Sequence, residues 1–214
     1  MILVSRSPSQ ADAWHRLLAW TQCDGNDQSL CQILAHVNCS TTELDLRFRL
    51  LWTPGPTGPI LPPRKSDATG LPQRLDGLWQ HTCFELFLGV LGESDYWEFN
   101  LSPSGDWNVY SMTAYRQGQA PELTYEQLEV LVTGPLAAPR LADCRLTGPR
   151  ALLELEIHCP LPPMLQACRQ SGRSLEAGLS AVLESQSGAL SFWALRHPGR
   201  EPDFHDRQGW LLRL

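Results

Sequence analysis

The chain has 214 residues, a formal net charge of −6, 43% hydrophobic and 19% charged residues. This is room for one large domain with its own core, and the acidic balance excludes a surface built to grip nucleic acid. Seventeen prolines and sixteen glycines exclude a helical bundle, and a single lysine, Lys65, leaves no Gly-Lys-Ser/Thr phosphate loop.

In chain order, Trp14, Leu17 and Leu18 have helical spacing, and Ser7-Pro8 is a fitting helix start. Ile33, Ala35 and Val37 alternate, then Ser40-Thr41-Thr42 makes a turn. Leu44, Leu46, Phe48 and Leu50 next oppose Asp45, Arg47 and Arg49. This predicts a hairpin of residues 32–39 and 43–52, half-buried. Residues 53–78 are rich in Pro and Gly and read as a long loop with one short strand at 58–61.

The densest stretch parses as an antiparallel meander of strands 82–90, 96–102 and 107–112, joined at Gly92-Glu93-Ser94-Asp95 and Pro103-Ser104-Gly105. Further strands are expected at 127–133, 141–147 and 151–158. A short helix in MLQACRQ ends at Gly172, and strands 175–184, 190–196 and 209–214 close the chain. About ten short strands with little helix predict an all-β antiparallel two-sheet sandwich, organised as one domain over residues 1–214.

Strand parity assigns Phe84, Leu86, Leu88, Trp97, Phe99 and Leu101 to the core. The opposite face gathers His81, Glu85, Tyr96, Glu98 and Asn100, either as a solvated sheet face or as a concave ligand surface. Glu85 and Glu98 also have the residue types of a general acid/base pair. Near the end, His197, Asp203, His205 and Asp206 could join His81 in a two-His-one-carboxylate metal site. The N-terminus lacks a basic region followed by a long apolar core, and no stretch has membrane-span length. Seven irregularly spaced cysteines (Cys23, Cys31, Cys39, Cys83, Cys144, Cys159, Cys168) then predict reduced thiols in the cytoplasm.

The runs LWQHTCFELFLGV, YWEFNLSPSGDWNVY and SFWALRHP…PDFHDRQGWLLRL resemble the DOMON-like domain family, related to family 9 carbohydrate-binding modules. Glu85-Leu86-Phe87-Leu88 is similar to the first motif strand of those modules, and Tyr96-Trp97-Glu98-Phe99-Asn100 through Gly105 to the second strand and turn. His81-Thr82 stands where the modules carry an acidic pair, which departs from their calcium-assisted architecture. The resemblance implies a jelly-roll-like sandwich with a ligand site on or beside a concave sheet.

The leading expectation is a non-catalytic module for a carbohydrate or similar polar small molecule, with no nucleic-acid or membrane partner. Its candidate site residues are Trp79, His81, Glu85, Trp107, Arg116, Trp193, His197 and His205. The tryptophans would stack on a ligand, and the arginine and histidines would donate hydrogen bonds. This reading assigns no cofactor. The alternatives are a metal- or haem-dependent protein or enzyme using the His/carboxylate cluster (Met112 and His81 as haem ligands) and a protein-interaction module.

Overall fold

The computed structural model describes residues 13–20, 31–55, 58–63, 70–137 and 150–214. The strands are β1 (His15–Arg16), β2 (Leu18–Ala19), β3 (Cys31–Cys39), β4 (Glu43–Trp52), β5 (Cys83–Val90), β6 (Tyr96–Leu101) and β7 (Trp107–Met112). They continue with β8 (Ala120–Pro121), β9 (Leu131–Ala137), β10 (Ala151–Pro160), β11 (Leu175–Glu184), β12 (Leu190–Ala194) and β13 (Leu212–Arg213). One α-helix, α1 (Pro163–Gln170), separates β10 from β11 and starts with proline in its first turn, where a missing N–H costs nothing.

The chain is an all-β sandwich of two antiparallel sheets. One sheet runs β1-β3-β4-β10-β9; the other runs β2-β12-β11-β5-β6-β7-β8, with β13 added beside β11. The core lies between them. Leu44, Leu46, Phe48 and Leu50 of the first sheet and Phe84, Leu86 and Phe99 of the second are completely buried. Phe48 meets Phe84 across the gap with ring centroids 5.3 Å apart.

The expected hairpin and meander are present to within a residue or two. Other expectations change. Residues around Trp14 and Leu17 are not helical: β1 and β2 are two-residue edge strands, one pairing with β3 and the other with β12. Leu17 between them is buried in the core, so its apolar spacing reflects one inward residue of an extended segment. The short strand expected at 58–61 reduces to one bridge, Pro59 to Ser185. The strand expected at 127–133 begins at Leu131, although Leu128 and Val130 already face the core. At the C-terminus a 3₁₀ turn at Arg207–Gly209 replaces the start of the last strand. The helix start at Ser7-Pro8, the strand at 141–147, Cys23 and Cys144 lie outside the described residues. Among the described residues Cys31, Cys39, Cys83, Cys159 and Cys168 are free thiols, and no helix is long and apolar enough to cross a membrane.

The outer face of the second sheet is not solvated. A second apolar cluster sits on it, formed by Phe87, Tyr96, Tyr110, Met112 and Trp210, with Phe204 packed alongside. The C-terminal segment folds back over this face, and two outward-facing glycines make the approach possible. A Cβ on Gly178 would stand 2.4 Å from Trp210, and one on Gly89 would stand 2.9 Å from the Arg207 guanidinium. Arg207 then donates to Glu176 at 2.5 Å and to the carbonyls of Ser94 and Asp95 at 3.0 and 2.8 Å. Its guanidinium carbon lies 4.8 Å from the centre of the Trp210 ring. The strap is therefore fixed by packing, by charge and by backbone hydrogen bonds together.

Candidate functional site

Register places the polar residues of the outer face in rows across the sheet. Ser180, Glu85, Asn100 and Asn108 stand side by side on β11, β5, β6 and β7, and the next row holds Gly178, Phe87, Glu98 and Tyr110. Two segments flank these rows. On one side the turn at Leu78–Gln80 presents Trp79, whose ring meets Tyr110 edge-on at 5.8 Å. On the other is the C-terminal strap, with Phe204 against Phe192 and His205 against Phe87. Between them remains a cavity of about 380 Å³. Trp79, Phe192, Phe204 and Met112 supply apolar lining; Glu85, Glu98, Arg116, Gln119 and His205 supply polar groups.

The polar groups are held from behind. Ser180 Oγ donates to Glu85 Oε2 at 3.1 Å, and Asn100 Nδ2 donates to Glu98 Oε1 at 2.8 Å. Glu85 Oε1 is buried without a hydrogen-bond partner. Glu85 is only 2% exposed and Glu98 5%. Burial, and then the neighbouring Glu98, push the Glu85 carboxyl well above the usual carboxylate range, against the Ser180 hydrogen bond. Burial also raises Glu98, with the Asn100 hydrogen bond and the charge of Arg116 opposing. Both shifts favour the protonated carboxyl over the carboxylate, and a protonated carboxyl can donate a hydrogen bond as well as accept one.

Arg116 sits in the left-handed region, φ 52°, at a turn that carries its amide to the rim. That amide donates to Tyr96 Oη at 3.2 Å, and Tyr96 Oη is 2.7 Å from His205 Nδ1. Tyr96 Oη and His205 Nδ1 thus share one hydrogen bond, whose donor is set by the His205 tautomer. Nε2 is 3.9 Å from Glu98 Oε2. Burial, then Arg116, lower the His205 pKa to about 4 against the pull of Asp203, so the imidazole is neutral near pH 7. Asp203 receives Arg116 Nη2 at 2.9 Å and the Tyr115 hydroxyl. Burial opposes its ionisation, but these two hydrogen bonds outweigh it and hold Asp203 below its usual pKa.

Four of the eight sequence-predicted site residues, Trp79, Glu85, Arg116 and His205, come together around this cavity. The other four do not. Trp107 and Trp193 pack into the inter-sheet core away from this cavity, and Trp107 also borders a separate cavity of about 900 Å³. Arg74 lies over the Trp107 ring at 4.5 Å, and the Trp193 indole donates to Ser191 at 3.1 Å. His81 is exposed and pairs with Glu184 at 2.9 Å beside a separate cavity of about 590 Å³. His197 Nε2 donates to the Leu18 carbonyl at 2.8 Å, and burial lowers its pKa. The three histidines therefore hold unrelated partners and do not converge as a metal site. Among the described residues no group of three His, Cys, Asp or Glu side chains could hold a metal ion. Met112 and His81 line different cavities, which separates the imagined haem ligands.

Sequence reasoning missed Phe192, Phe204 and Gln119 as lining residues, and Trp210, Arg207 and Asp203 as their supports. It placed Glu98 on the right face and considered it only as an acid/base partner of Glu85, not among the ligand-binding residues.

No family model and no curated protein matches the chain. Among solved structures, a proposed carbohydrate-binding protein from Bacteroides uniformis ATCC 8492 shares the fold, with a TM-score of 0.55 and 10% identity. The likeness covers 92% of this chain and 84% of that one. It bears on architecture: both chains are the same kind of β-sandwich.

Proposed function

We propose that the chain is a non-catalytic ligand-binding domain whose outer-face cavity takes a carbohydrate or a similar polar small molecule. The observation that carries this reading is the cavity itself: an exposed indole and three phenylalanines around a floor of polar groups. Aromatic walls suit the apolar face of a sugar ring, and fixed polar groups set its orientation. Its volume is in the range of small-molecule sites. The fold neighbour, itself proposed to bind carbohydrate, supports the same reading, as does the resemblance to DOMON-like and family 9 carbohydrate-binding modules. The free thiols support a cytoplasmic home.

The test is calorimetric titration of the purified chain with monosaccharides, beside the Trp79→Ala variant. The expected result is saturable binding that weakens by about tenfold when the indole is removed. Absence of binding, or equal binding by the variant, defeats the proposal.

A further inference from the structure

The cavity is asymmetric in charge. Its lining carries two carboxyl groups, Glu85 and Glu98, and one side chain of permanent positive charge, Arg116. Arg116 already donates to Asp203, and His205 has its Nδ1 engaged by Tyr96. Glu85 Oε1 has no partner, although its residue is almost completely buried. A buried polar oxygen without a partner is costly, and in a cavity wall it marks where a polar group of a ligand belongs.

We infer that the ligand of this cavity carries a primary ammonium group seated between Glu85 and Glu98. It rests on the carbohydrate reading above, on which the ligand is an amino sugar.

The geometry favours an ammonium over a hydroxyl. Glu85 pairs with Asn100 and Phe87 with Glu98, so the two glutamates are diagonal neighbours on adjacent strands. Such neighbours are roughly 7 Å apart along the backbone, a gap that one nitrogen can bridge with an N–H to each carboxyl. A hydroxyl can donate to only one carboxylate, and it bridges the pair only while one glutamate keeps its proton and donates to it. An ammonium has three hydrogens and brings the positive charge that lets both carboxyls ionise. Trp79, Phe87 and Phe204 border the same space, and aromatic faces attract cations. Any proton that Glu85 holds in the empty cavity leaves to solvent as the ammonium enters, so binding releases up to one proton.

The experiment is calorimetry of the full chain near neutral pH with glucosamine, N-acetylglucosamine, glucose and ethanolamine, each in two buffers of different ionisation enthalpy. Glucosamine is expected to bind at least about tenfold more tightly than glucose or N-acetylglucosamine, with proton release. In Glu85→Gln that preference collapses toward unity. Should this variant not fold, Glu98→Gln is read the same way. Equal affinity for glucosamine and glucose overturns the ammonium inference and leaves the carbohydrate reading standing. Binding of ethanolamine without any sugar supports the ammonium site and overturns the carbohydrate reading. Binding of none of the four overturns both.

Discussion

The outer faces of the two sheets have similar sequence patterns and opposite fates. On the first sheet Arg49 faces Glu154 and Arg47 faces Glu156 across β4 and β10, and these side chains remain about one-third to two-fifths exposed. On the second sheet Glu85, Glu98 and Asn100 hold equivalent alternating positions, yet all are buried. The difference is not in the strands' periodicity. It lies in what crosses over them: the Trp79 turn and the C-terminal strap cover one face, while the charge ladder of the other stays open to water. A polar strand position is cheap when solvent supplies its partners and demanding when the chain must supply them. That contrast leads from the fold to the cavity.

The largest effect should come from removing the strap's anchor. Trp210 is 3% exposed, donates to the Phe204 carbonyl at 2.8 Å and packs on Phe87, Tyr96 and Gly178. Trp210→Ala is expected to lower unfolding free energy by about 3–5 kcal/mol, the range for large aromatic deletions in a core. Urea denaturation measures it. A loss below about 1 kcal/mol would show that the strap only rests on the sheet, since that is the ordinary range of surface substitutions.

How much of this was legible follows from what alternation encodes. Period-two patterning reports the inward set, and Leu44 through Leu50, Phe84 through Leu88 and Trp97 through Leu101 all turned inward. It does not report what covers the outward set. Two outward signals were still present: aromatics at Phe87 and Tyr96, and the strand glycines Gly89 and Gly178, which mark close approach of another segment. Trp107 was also readable, because it faces Leu101 across a tight turn and so shares that residue's inward side. The network of Arg116, Asp203, Tyr96 and His205 was not readable. It joins residues up to 109 positions apart, through a loop and a strap whose docking no local pattern specifies.

Because burial and Glu98 raise the Glu85 pKa, the neutral acid is the form the fold prefers. The stability this contributes is complete below the unfolded value near 4.5 and is lost as pH rises through the folded value. Glutamine has the same shape and no charge, so Glu85→Gln should gain on the parent chain as pH rises. An advantage of about 1–3 kcal/mol is expected at mildly alkaline pH, the cost of an unsatisfied buried polar group. It should shrink toward zero at acidic pH. Glu98 and His205 titrate in both proteins and largely cancel in the difference. Urea midpoints at both ends of that range provide the measurement, and a pH-independent difference would overturn the upward shift of the Glu85 pKa.

The open face should give the smallest effect. Arg49 and Glu154 are 2.6 Å apart, closer than most pairs on this molecule, but their side chains are 35% and 36% exposed. Water screens such a pair, and ordering two long side chains offsets part of its attraction. Arg49 also lies 4.0 Å from the centre of the Trp14 ring, so Arg49→Ala alone removes two contacts and overstates the ion pair. A double-mutant cycle with Glu154→Ala separates them, because the Trp14 contact is lost in both arms that lack the arginine. The coupling energy should be below about 1 kcal/mol and should fall as salt is added. A coupling of several kcal/mol would mean that solvent does not level this face, and that the two sheets differ less in their surroundings than their exposures indicate.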